Sequence, residues 1–86
     1  MTTLLDACKS VLSKHPDQKI HVVNEYKDVY QFMTINKNEV VGPYTFFGDT
    51  PYVIKQTGEL IEEASITDSV FDGDFNQHFA SEIKGI

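Results

Sequence analysis

Leu4, Leu5, Cys8, Val11 and Leu12 recur at helical spacing and make one apolar stripe, with Lys9, Ser10, Ser13 and Lys14 off it. The spacing predicts an amphipathic helix. Thr3 is placed to cap its start, with Asp6 three residues on in a capping-box-like relation, and Pro16 stops it near His15. From Lys19 the period changes to two: Ile20, Val22, Asn24 and Tyr26 alternate with His21, Val23 and Glu25. After Lys27 and Asp28 a second run covers residues 29–35. Both runs are rich in β-branched and aromatic residues and predict strands. In the second, Tyr30, Phe32 and Thr34 share one face and Val29, Gln31, Met33 and Ile35 the other. Both faces are largely apolar, so this strand is expected at the centre of a sheet, covered at least partly on each side.

Residues 36–39 read as a turn, and residues 44–47 as a short strand or an aromatic loop packed on the core. The most structured signal lies in residues 48–60. Thr50-Pro51 opens a strand over Tyr52, Val53 and Ile54, Lys55-Gln56-Thr57-Gly58 turns, and Glu59-Leu60-Ile61 returns. Pro is tolerated at a strand start, and Gly58 is expected to supply a positive φ in the hairpin turn. Further on, Asp74 reads as an N-cap with Gln77 in the reciprocal position. Phe75, Phe79 and Ile83 lie four apart on one docking face, and Gly85 stands where a C-cap glycine belongs. Asn76, Ser81 and the nearby glycines are poor helix formers, so this short C-terminal helix should depend on docking. The sum is one α+β domain over residues 1–86: an N-terminal helix packed on a small, mostly antiparallel sheet of three to five strands, closed by a short C-terminal helix.

Composition narrows the function. With 86 residues, 41% hydrophobic, six Phe and four Tyr, the chain can bury a core without staples. The single cysteine excludes an internal disulfide and fits a reducing compartment. Cys8 falls inside the helical stripe, where a buried small hydrophobe is the favoured reading over a nucleophile. The first residues carry an acid and no basic start before an apolar run, so they do not read as a secretory signal, and no apolar run is long enough to span a bilayer. A cytoplasmic protein without membrane contact is expected.

Charge is distributed unevenly. The net charge is −6, and all seven basic residues are Lys. Between Gln56 and Ile83 stand seven acids and no Lys, so that segment carries −7 and the remainder +1. Nucleic-acid binding, which wants a basic stripe and usually Arg, is not expected. A basic protein partner would be drawn to the acidic third, chiefly through its on-rate, although charge runs are more often solvated faces. The candidate partner-binding residues are Glu59, Glu62, Glu63, Asp68, Asp72 and Asp74.

No catalytic, cofactor-binding or metal-binding set is legible. His15, His21 and His78 lack a metal-ligand spacing, and there is no nucleophile elbow, P-loop or dinucleotide fingerprint. Asp72-Gly73-Asp74 reads as a turn rather than a calcium loop, because the oxygen ligands and the closing Glu are missing. Glu62 and Glu63, adjacent on a strand, would face opposite sides. Lys55, in a hairpin turn, reads as solvated, unlike a Schiff-base lysine. An enzyme is not expected, and neither is a cofactor.

Gly48, Pro51, Tyr52, Val53, Ile54, Thr57, Gly58, Glu59 and Leu60, with the helix and aromatic strands before them, resemble the YrhB-type family of small bacterial proteins. That family is classed among predicted immunity proteins of polymorphic toxin systems. The chain departs from the family pattern in running from Ile54 straight to Lys55-Gln56-Thr57 and in having no Trp in its central strand. The resemblance implies a non-catalytic binder that neutralises a cognate toxin or related effector, and a basic toxin would suit the acidic third. A second functional class is a PepSY- or cystatin-like structural module, forming a homodimer through an open sheet edge.

Overall fold

In a computed structural model, residues 1–40, 42, 50–62 and 73–86 are described. Helix α1 (Leu4–Lys14) begins at Thr3, whose Oγ1 accepts a hydrogen bond from the Asp6 N–H at 3.2 Å. It ends at His15, directly before Pro16, as the capping and breaker residues predict. Among the described residues five strands follow: β1 (Gln18–Glu25), β2 (Val29–Asn36), β3 (Tyr52–Ile54), β4 (Leu60–Ile61) and β5 (Asn76–Phe79), with a 3-10 turn at Ala80–Glu82. Their order in the single sheet is β4-β3-β2-β1-β5, every pairing antiparallel. The α+β architecture with an N-terminal helix on an antiparallel sheet is therefore the observed one.

The centre of the sheet is β2, and residues on both its faces are buried: Tyr30, Phe32 and Thr34 on one, Val29 and Ile35 on the other. On the first face, α1 contributes Ala7, Cys8 and Val11 to a core with Ile20, Val23, Tyr30, Phe32 and Val53, flanked by Leu4, Leu12, Leu60, Ala80 and Ile83. The strict alternation expected of β1 is broken. Ile20 pairs with Thr34 but Val22 pairs with Met33, so a register shift falls at His21. One extra residue rotates the rest of the strand by one face. Ile20 and Val23 thus share the helix-facing side, and Val22 and Asn24 the other.

The hairpin is as expected. The Gly58 N–H donates to the Ile54 carbonyl at 2.8 Å, the Ile54 N–H donates to the Glu59 carbonyl at 2.9 Å, and Gly58 has φ +75°. Pro51 immediately precedes β3 and its carbonyl accepts from the Phe32 N–H at 2.8 Å. The turn after β2 closes with the Glu39 N–H on the Asn36 carbonyl at 3.0 Å. The reading of residues 44–47 as strand or aromatic loop lies outside the described residues.

The C-terminal helix is corrected. Residues 76–79 form the strand β5, paired with β1 from Glu25↔Asn76 to Val22↔Phe79, and only the 3-10 turn follows. A spacing of four fits a helix, but it also puts residues on one face of a strand. With weak helix formers and only a few residues available, pairing with the β1 backbone outweighs an isolated short helix. As a result Phe75 and Phe79 are 49% and 42% exposed, while Ile83 packs on the core. Gly85 does take a positive φ of +94° and sits against Leu5, returning the chain to α1.

Candidate functional site

Glu25, at the end of β1, stands on the helix-facing side in line with Val23. The cross-strand row through it runs Asn76, Glu25, Tyr30, Val53 and Leu60. A carboxylate in such a row requires partners, because an unpaired charge against a core is costly. Two are supplied from distant parts of the chain. Lys55, directly after β3, reaches back across β2 and places Nζ 2.8 Å from Glu25 Oε2, passing 4.9 Å from the centroid of the Tyr30 ring. From β5, His78 sets Nε2 2.8 Å from Glu25 Oε1. A carboxylate only accepts, so His78 Nε2 carries the proton in this contact. The expectation of a solvated Lys55 is corrected: its side chain is only 13% exposed. The correction has a physical cause, since the ammonium lies over the Tyr30 ring and finds a carboxylate beyond it.

Electrostatics follow the geometry. The hydrogen bond from Lys55 holds the Glu25 carboxyl below its ordinary range, burial opposes this, and His78 adds to the lowering. Burial pushes the Tyr30 phenol upward, and the neighbouring Glu25 charge acts in the same direction. The strip before α1 is tied to this cluster as well: the Thr2 N–H donates to the Lys55 carbonyl at 2.7 Å, and Tyr30 Oη donates to the Thr2 carbonyl at 3.4 Å. With both carboxylate oxygens of Glu25 engaged, the cluster joins β1, β5 and the end of β3. Its chemistry is that of an electrostatic clasp.

Cys8 is fully buried, as its place in the stripe predicts, and desolvation raises its thiol to about 11. A thiol so placed is not a thiolate near neutral pH. Among the described residues there is no group of three or more His, Cys, Asp and Glu able to hold a metal ion, and no helix long and apolar enough to cross a membrane. Between α1 and the β3–β4 turn an open depression of about 450 Å³ is lined by Lys9, Ser10, Ser13, Lys14, Gly58 and Leu60.

Three of the six acids expected to meet a partner are described: Glu59, Glu62 and Asp74, all exposed. Glu63, Asp68 and Asp72 lie outside the described residues. The three are not gathered on one patch. Glu59 and Glu62 flank β4 at one edge of the sheet, whereas Asp74 precedes β5 at the other, about 19 Å away across four strand spacings. Glu62 is also engaged, with Oε1 3.1 Å from His15 Nε2.

The Glu25–Lys55–His78 cluster was not read from sequence. An acid on the same strand face as Val23 was the available signal, but its partners lie 30 and 53 residues away. The exposed ring pair on β5 was likewise missed, because it depends on the strand replacing a helix.

Fold and site together define a small antiparallel α+β domain in which Glu25, Lys55 and His78 are tied to one another and Glu59, Glu62 and Asp74 stand at opposite sheet edges. Comparison with protein-family models, with curated proteins and with solved structures gave no match.

Proposed function

We propose that the chain is a non-catalytic protein-binding module of the bacterial immunity-protein kind, which neutralises a basic toxin or effector in the cytoplasm. The observation that carries the reading is the exposure of Glu59, Glu62 and Asp74, which belong to a lysine-free sequence segment holding seven acids. Such an excess of exposed negative charge, at both edges of the sheet, accelerates encounter with a cationic partner and disfavours acidic competitors. The engagement of both Glu25 oxygens also supports it, since that charged cluster is spent on holding strands together.

The test is affinity capture from the native host, followed by association kinetics of the captured protein at several salt concentrations. A basic partner whose on-rate falls with salt, and falls again when Glu59, Glu62 and Asp74 are changed together to Lys, is the expected result. An acidic partner, or on-rates indifferent to both salt and the triple change, would overturn the reading.

A further inference from the structure

The two edges of the sheet differ. β4 has two residues, and a short edge strand is one of the ways proteins protect an edge. β5 has four, and no described strand pairs with its outer side. Two of the usual blocks are absent, since residues 73–82 contain neither Lys nor Pro. Instead β5 is lined by aromatic rings. Phe75 lies against Tyr26 with centroids 5.0 Å apart, and Phe79 meets His21 edge-on at 6.2 Å. Each ring is therefore held by a neighbour on one side while 49% and 42% of the residues stay exposed. From behind, His78 is fastened to Glu25, so the strand is anchored to β1 by a side-chain bond as well as by its backbone ladder.

We propose that the outer edge of β5 is a docking site that takes an extended, Lys- or Arg-rich strand of a protein partner. The backbone of β5 would supply the ladder over about 13 Å of strand, and Phe75 and Phe79 would cover the apolar side chains of the incoming segment. Charge selects this occupant over a second copy of the same chain. Asp74 precedes the strand and Glu82 follows it, both exposed, and each copy would bring a net charge of −6 to the joint. A cationic segment relieves that field, whereas a second copy doubles it. The proposal rests on the reading of the chain as a protein-binding module and names the chemistry and the edge through which it binds.

The test uses the isotopically labelled full chain and two peptides, one alternating lysine with valine and one alternating glutamate with valine. At roughly millimolar peptide, the lysine peptide should shift the backbone amides of residues 75–79, less so with added salt, and the glutamate peptide should not. Gln77→Lys, which leaves both ring contacts intact, should weaken this binding by at least roughly tenfold, as should Phe75→Lys combined with Phe79→Lys. Absence of shifts at β5, equal shifts with the glutamate peptide, or indifference to Gln77→Lys would overturn the proposal. So would a sedimenting dimer that Gln77→Lys dissolves, since a second copy would then occupy the edge. The two readings fail separately: if a captured basic partner is lost on charge reversal at Glu59 and Glu62 but not in Gln77→Lys, the module reading stands and the β5 edge does not; if no basic partner is captured, the module reading itself fails.

Discussion

Replacing Glu25 by Gln is the sharpest probe of the clasp. The carboxylate receives two contacts of 2.8 Å, its own side chain is 29% exposed, and Lys55 and His78 are 13% and 32% exposed. An exposed pair would be worth about 0–1 kcal/mol and breaking a fully buried one about 3–5 kcal/mol. This cluster lies between, and Gln keeps a neutral acceptor while leaving the largely desolvated Lys55 without a counter-charge. The expected cost is about 2 kcal/mol at neutral pH, which for a domain of this size lowers the melting temperature by about 8–16 °C. The pH profile gives a second signature. Because the folded carboxyl titrates below its ordinary 4.5, its contribution is fully present above that value and is lost as pH falls below it. Urea titrations of both proteins from neutral pH downward should therefore start about 2 kcal/mol apart and converge in acid. A difference under about 0.5 kcal/mol at neutral pH, or one that persists unchanged in acid, would refute the clasp as a stabilising element.

Three further outcomes follow from single positions. Gly58→Ala, at φ +75° with its new Cβ 3.0 Å from Thr2 Oγ1, should cost about 1–2 kcal/mol in urea denaturation, and wild-type stability would contradict the turn geometry. Phe32→Ala, at a fully buried position in the centre of the sheet, should cost about 3–5 kcal/mol, against under about 1 kcal/mol for Phe75→Ala at the edge; similar values would mean the core is misplaced. Cys8, raised from 9.0 to about 11, should resist thiol reagents in the folded state at mildly alkaline pH. Its raised value also means that stability is full below pH 9.0 and is lost by about 2–3 kcal/mol as pH rises to about 11, a component that Cys8→Ala removes. Rapid labelling without unfolding would place the thiol at the surface.

What the sequence determined by itself is local and periodic. The Thr3 cap and Pro16 stop set α1, the two-sided apolar run of residues 29–35 marks the central strand, and Gly58 sets the hairpin turn; each signal lies within a few residues of the structure it specifies. The single cysteine in the apolar stripe was also legible as buried. Tertiary structure decided the rest wherever a local pattern had two solutions or a group needed a distant partner. The register shift at His21 turned β1 by one face because packing on α1 favours Ile20 with Val23. Residues 76–79 became a strand because the β1 edge offered backbone partners that a short helix of poor formers could not match. Glu59 and Glu62, which charge counting draws into one segment with Asp74, were parted from it across the sheet once β4 and β5 took opposite edges. Glu25, Lys55 and His78, spread over 54 positions, met only because the strand order brings β5 against β1 and turns Lys55 back across Tyr30. Charge and period are properties of neighbouring residues, whereas an edge, a clasp and a docking strand are properties of which strands lie side by side.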